Sequence, residues 1–129
     1  EFRKAHQFIV YTCNTPVQHA IAEYLTNEDN YNNLGSFYQE KRDYFCDLIK
    51  DSRFTILPAS GSYFQLLKYD NITDEKDMEY AVRLIKDHGI ASIPVSAFYH
   101  KPIHNNILRF CFAKEKETLE KAAEKLCKI

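Results

Sequence analysis

Arg109 is the residue whose type and setting most plainly invite chemistry. It interrupts the apolar run Ile107-Leu108-Arg109-Phe110-Cys111-Phe112, and a charge in such a strand must reach water or meet an anion, because an unpaired buried charge is costly. Its rigid fork of donors matches a carboxylate with two parallel hydrogen bonds, which suits an amino acid or a 2-oxo acid. The ordinary alternative is an ion pair inside the fold, the commoner fate of a charge in the interior. Strand position alone leaves both open.

Other reactive residues form no recognisable constellation. His100 and His104 stand four apart in the loop Pro94 to Asn106, but Pro102 lies between them and no cysteine or carboxylate completes a ligand set, so no metal site is expected. The same loop carries Phe98 and Tyr99, and a long loop in a compact domain tends to be functional. Cys13, Cys46, Cys111 and Cys127 are irregularly spaced with no CxxC pair, which reads as reduced thiols of a cytoplasmic protein. There is no GxSxG, HExxH or P-loop string, so hydrolase and nucleotide-binding readings lack support.

The elements that must position these residues follow from pattern. Thr15-Pro16-Val17-Gln18 supplies an N-cap hydroxyl, a proline at the first helical position and a glutamine able to close a capping box. The helix starting there is interrupted by the turn-forming stretch from Asn27 to Asn33. A second helix runs from Leu34 to about Asp51, with Phe37, Tyr38, Tyr44, Phe45, Leu48 and Ile49 on one side. Phe54–Leu57 and Tyr63–Lys68 read as strands about a Pro58–Gly61 turn. Thr73 caps a third helix with a core stripe of Met78, Ala81, Val82 and Ile85, ending at Gly89. Ile90–Ile93 is a strand stopped by Pro94, Ile107–Phe112 another, and a last helix packs through Leu119, Ala122, Ala123 and Leu126. The order α, α, β, β, α, β, β, α predicts an α/β or α+β layer, with helices packed on a small sheet of about four strands.

Bulk properties narrow the field. The chain has 129 residues, 45% of them hydrophobic, enough for one modest core. With 17 basic and 18 acidic residues it carries no basic footprint for nucleic acid or an anionic membrane. No apolar run approaches the roughly 20 residues of a membrane-spanning helix.

Several strings in series resemble one family. They are Arg3-Lys4-Ala5-His6-Gln7-Phe8, Thr15-Pro16-Val17-Gln18-His19-Ala20, Phe37-Tyr38 through Lys41-Arg42-Asp43, and Gly61-Ser62-Tyr63-Phe64. Gly89-Ile90-Ala91-Ser92-Ile93-Pro94 with Phe98-Tyr99, and Leu108-Arg109-Phe110-Cys111-Phe112-Ala113-Lys114, extend the series over nearly the whole chain. Together they resemble the C-terminal portion of class I/II, fold-type I aminotransferases, especially the branch of methionine aminotransferases and kynurenine (glutamine) transaminases.

That resemblance implies a small-domain fold over residues 34–129, preceded by a segment, residues 1–33, that packs on a large domain and the dimer interface. It implies that Arg109 binds the substrate α-carboxylate and that Tyr11 reaches the neighbouring subunit's substrate pocket, an interface aromatic without substrate contact being the alternative for Tyr11. It further implies pyridoxal 5'-phosphate as the cofactor of a homodimeric parent acting on amino acids of methionine, glutamine or aromatic type and on 2-oxo acids. The cofactor-bearing lysine of the family sits in a Ser-x-x-Lys string upstream of the RKxHQF segment, and no serine here has lysine three residues later. The chain is therefore expected to be a fragment that lacks the catalytic lysine, binds no cofactor and is inactive alone. The competing expectation is a non-catalytic anion-binding or interaction module with the same small-domain fold, since fold does not fix function.

Overall fold

The computed structural model describes residues 1–101 and 103–129, and Pro102, placed by the sequence between the two loop histidines, lies outside the described residues. The chain divides into two compact units, Glu1–Gly35 and Ser36–Ile129.

The first unit is built of helices. α1 (Phe2–Val10) occupies a stretch that the sequence pattern left unassigned, and its end is marked by Tyr11 at φ 52 and ψ −72, where the Tyr11 N–H still reaches Gln7 O. α2 (Thr15–Tyr24) begins where proline predicts, but its cap is Asn14 rather than Thr15. The Asn14 Oδ1 accepts from Val17 N at 3.3 Å, and Gln18 Nε2 reaches back to Cys13 O at 3.2 Å in place of the expected capping box. Within the polar stretch read as turns, Asp29–Asn32 forms one helical turn, α3, supported by Asn30 Nδ2 donating to Tyr24 O at 2.7 Å.

The second unit has a four-stranded antiparallel sheet in the order β1-β2-β4-β3, from β1 (Thr55–Ile56), β2 (Phe64–Lys68), β3 (Ile93–Pro94) and β4 (Ile107–Cys111). Three helices complete it: α4 (Leu34–Leu48), α5 (Asp77–Arg83) and α6 (Lys116–Leu126). This is the predicted helix-on-sheet layer, of the α+β type because every strand pair is antiparallel.

Alternation along the two central strands divides the sheet into two faces. Gln65 and Leu67 of β2 and Leu108 and Phe110 of β4 are buried, joining Phe45 and Ile49 near α4, Tyr80, Ala81 and Leu84 at α5, and Leu119, Ala123 and Leu126 of α6. Phe64, Leu66 and Lys68 with Ile107, Arg109 and Cys111 point to the other face and are half-buried. The one amide in the core is fully engaged: Gln65 Nε2 donates to Leu57 O at 2.5 Å and to Leu66 O at 3.0 Å, and the Cys46 thiol reaches its Oε1 at 3.5 Å. Burial pushes that thiol above its ordinary range.

Three local expectations are corrected. α5 begins at Asp77, four residues after Thr73, whose hydroxyl instead closes a short turn by accepting from Glu75 N at 3.3 Å. The buried apolar stripe is Tyr80 and Ala81 of α5 with Leu84 directly after it, whereas Met78, Val82 and Ile85 are about half exposed. The cause is a rotation of the packing face toward the larger Tyr80, whose ring packs 4.5 Å from that of Tyr69. Finally, the third strand is Ile93–Pro94 rather than Ile90–Ile93. Pro94 is tolerated because β3 is an edge strand that pairs with β4 alone.

The end of α5 follows the sequence. A π-helical turn, Leu84–His88, continues it and stops at Gly89, whose φ of 64 is a conformation that glycine adopts without strain. Among the described residues, no helix is long and apolar enough to cross a membrane.

Candidate carboxylate-binding site

β4 places Arg109 at the centre of the half-buried sheet face, between Leu66 of β2 and Ile93 of β3. Two aromatic rings flank its guanidinium, Phe64 with Cζ 4.0 Å from the ring centroid and Phe98 at 4.9 Å. Phe64 comes from the strand beside Arg109, and Phe98 ends the tight 3-10 turn Val95–Phe98 that directly follows β3. The loop Pro94 to Asn106 thus has structure of its own where it approaches the arginine.

Ring stacking holds the plane of a guanidinium without using any of its N–H donors. Arg109 makes no ion pair with a carboxylate among the described residues, and its Nε is buried with no hydrogen-bond partner. The in-fold ion pair that strand position allowed is therefore absent among the described residues. A desolvated donor left unmatched is an unfavourable arrangement unless something else occupies it. Arg109 also lines a cavity of about 230 Å³, with Ser92, Cys111 and Lys114 on its wall. The Ser92 hydroxyl is likewise buried without a partner among the described residues. Two cationic side chains and no acidic one line this space, a set suited to an anion.

Pyridoxal phosphate would ask more of the site: a lysine amine, an acidic or basic partner for the ring nitrogen, and a cradle for the phosphate. The cavity at Arg109 has one lysine, Lys114, and no carboxylate. This set of residues does not fit the cofactor.

Tyr11 lies in the first unit, 88% exposed, with a positive φ unusual for a residue that carries a Cβ. Tyr99 and His100 are exposed, as is His104, and no cluster of metal-ligating side chains occurs among the described residues. Pattern reading alone did not find Phe64 as a partner of Arg109, because the pairing of β2 with β4 is a long-range register. It also passed over Asp77 and Ser96, which are joined by two hydrogen bonds of 2.7 and 2.6 Å beside the Phe98 turn.

A guanidinium flanked by two aromatic rings, with no ion-pair partner among the described residues and beside a cavity that Lys114 also lines, is an arrangement suited to an anion. The chain belongs to the class I and II aminotransferase family, whose match covers residues 2–126. It is 41% identical over 127 residues to the methionine aminotransferase of Escherichia coli (strain K12), a match covering 98% of this chain and 33% of that protein. It is 30% identical over 146 residues to the kynurenine–oxoglutarate transaminase of Dictyostelium discoideum, covering 96% of this chain and 34% of that one. A solved Escherichia coli protein identified as having a methionine aminotransferase function superposes with a TM-score of 0.88 at 39% identity, over 98% of this chain and 34% of its own. N-succinyldiaminopimelate aminotransferase from Mycobacterium tuberculosis gives a TM-score of 0.84 at 28% identity, over 97% and 33%. The chain spans about a third of the length of the curated relatives it matches.

Proposed function

We propose that this chain is the substrate-carboxylate-binding part of an aminotransferase that moves an amino group between an amino acid and a 2-oxo acid, with Arg109 holding the α-carboxylate common to both. The observation that carries this reading is the unpaired guanidinium stacked on Phe64 and Phe98. The family supplies the reaction class, and implies pyridoxal 5'-phosphate as the cofactor of the full polypeptide. Methionine, glutamine or aromatic amino acids are the proposed donors, in keeping with the methionine and kynurenine enzymes to which the chain is similar.

Arg109 acts by orientation as well as by attraction. Two parallel N–H donors grip both carboxylate oxygens and fix the substrate's rotation, so that the bond to be broken at Cα is presented in one direction. The rings of Phe64 and Phe98 restrict the guanidinium plane before substrate arrives, which lowers the ordering required on binding.

Residues 1–33 are proposed to pack on the remainder of a homodimeric enzyme, with Tyr11 reaching a neighbouring subunit's substrate pocket. Support comes from the apolar side chains exposed there, Phe8 and Ile9 among them. By itself the chain, which has no Ser-x-x-Lys string, is proposed to be inactive.

The test is Arg109→Lys in the full polypeptide. Lysine keeps the charge but loses the planar fork, so kcat/KM for the amino donor and the 2-oxo acid should fall by roughly 100-fold. Unchanged turnover and KM would remove Arg109 from the role.

A further inference from the structure

Asp77 is a buried carboxylate, 5% exposed, that the carboxylate-binding reading does not use. No cation pairs with it among the described residues. It accepts instead from Met78 N at 2.9 Å, from Ser96 N at 2.7 Å and from Ser96 Oγ at 2.6 Å. Two of these bonds come from one residue nineteen positions away, so both the backbone and the side chain of Ser96 are gripped by one group. Met78 N and Ser96 Oγ meet Oδ1 while Ser96 N meets Oδ2, so both carboxylate oxygens accept.

Ser96 lies in the turn Val95–Phe98, which Tyr99 N closes by donating to Ser96 O at 3.1 Å. Two residues after Ser96 the turn presents Phe98 to the Arg109 guanidinium. Phe98 is itself 63% exposed, so core packing does not fix its ring. The turn is tied by these bonds to Asp77, the first residue of α5, a helix that sits in the core through Tyr80 and Ala81, with Leu84 directly after it. The physical line runs from the core through α5 to Asp77, across to Ser96, and along the turn to the ring that faces Arg109.

We propose that Asp77 is a positioning residue of the Arg109 site: by gripping Ser96 it sets the Phe98 ring against the guanidinium and so holds the fork ready for a substrate carboxylate. This rests on the reading of Arg109 as the carboxylate binder. It extends that reading to a residue that touches neither substrate nor arginine.

The experiment uses the full polypeptide and two readouts: steady-state KM and kcat for an amino donor, and the calorimetric Kd of 3-phenylpropionate, an unreactive carboxylate. Asp77→Ala and Phe98→Ala should each weaken 3-phenylpropionate by about 5-fold or more, and raise KM more than they lower kcat. Residues acting in one line are not additive, so the double variant should be no more than about 2-fold worse than the worse single. Asp77→Asn, with one accepting oxygen left, should recover part of the affinity lost in Asp77→Ala. Ser96→Ala, which keeps the main-chain bond, should be intermediate. Should Asp77→Ala fail to fold, Ser96→Ala and the exposed Phe98→Ala give the same comparison. An unchanged Kd in Asp77→Ala, or effects of Asp77→Ala and Phe98→Ala that simply multiply, would overturn the proposal. Arg109→Lys separates the two claims. If it too leaves Kd unchanged, the carboxylate reading fails, whereas weakening by Arg109→Lys with indifference to Asp77→Ala removes only Asp77.

Discussion

The two units of this chain satisfy their backbones in similar ways and their side chains in opposite ones. In Ser36–Ile129 the helices and sheet enclose a contiguous core that includes fully buried Ile49, Leu67, Tyr69, Tyr80, Leu84, Leu108 and Leu126. In Glu1–Gly35 none of α1, α2 and α3 buries a residue, although α1 and α2 are amphipathic and their hydrogen bonds are made. At 9, 10 and 4 residues these helices are shorter than the roughly 12–15 at which an isolated helix becomes even marginal in water. Helix stability in proteins comes chiefly from a buried apolar face, and only the second unit supplies one from its own residues.

The largest expected effect tests the core side of that contrast. Leu108→Ala removes a fully buried side chain from β4, directly beside Arg109. It should destabilise the second unit by about 2–5 kcal/mol, the range for large-to-small changes in a close-packed interior. Urea unfolding followed by circular dichroism gives the midpoint and slope; a loss below about 1 kcal/mol would mean the core is looser than the burial implies.

A smaller effect sharpens the picture of how that core treats polar groups. Tyr69 and Tyr80 are both fully buried, but Tyr69 donates its hydroxyl to Glu75 O at 2.8 Å while the Tyr80 hydroxyl has no partner among the described residues. Burial is the main cause that raises both phenols above their ordinary 10.0. Because the folded-state value is the higher one, the unfolded chain ionises first as pH rises. Stability is thus fully present below about pH 10 and is lost progressively above it. Tyr80→Phe should leave neutral-pH stability unchanged or raise it by up to about 1 kcal/mol, since an unsatisfied buried hydroxyl is removed. It should also make the alkaline loss shallower. Unfolding midpoints at neutral pH and at about pH 11 check both, and a clear loss at neutral pH would reveal a partner for that hydroxyl.

How much of this was legible in the sequence depends on whether the signal was local. The α+β layer, the Gly89 stop, the β2 and β4 strands and the Leu119, Ala123 and Leu126 face of α6 all follow from short-range spacing. Arg109 stood out for the same reason, as one charge in an apolar strand. What escaped was set by tertiary context. The stripe on α5 turned toward Tyr80 because an aromatic ring partnered Tyr69, and the short β3 is defined only by its pairing with β4. Phe64 meets the arginine through strand register, and Ser96 meets Asp77 through hydrogen bonds nineteen residues apart, neither of which any periodicity encodes. The resemblance was carried by ordered strings, and so reached a family that no single motif would have identified.

The smallest expected effect is the most informative about the first unit. Ile21 sits on α2 and is 51% exposed. If its helix face is otherwise uncovered, Ile21→Ala removes little buried surface, and alanine is the better helix former, so unfolding of this chain should shift by less than about 0.5 kcal/mol in either direction. The same substitution in the full polypeptide then becomes a probe of what covers α2. Where a neighbouring surface packs on Ile21, truncation leaves a cavity and the cost should rise to about 1 kcal/mol or more. A higher cost in the longer protein would support the proposed packing over α2. Equal, small values in both would leave the helix face bare in the longer protein too, and would remove the proposed packing of residues 1–33 on the rest of the enzyme.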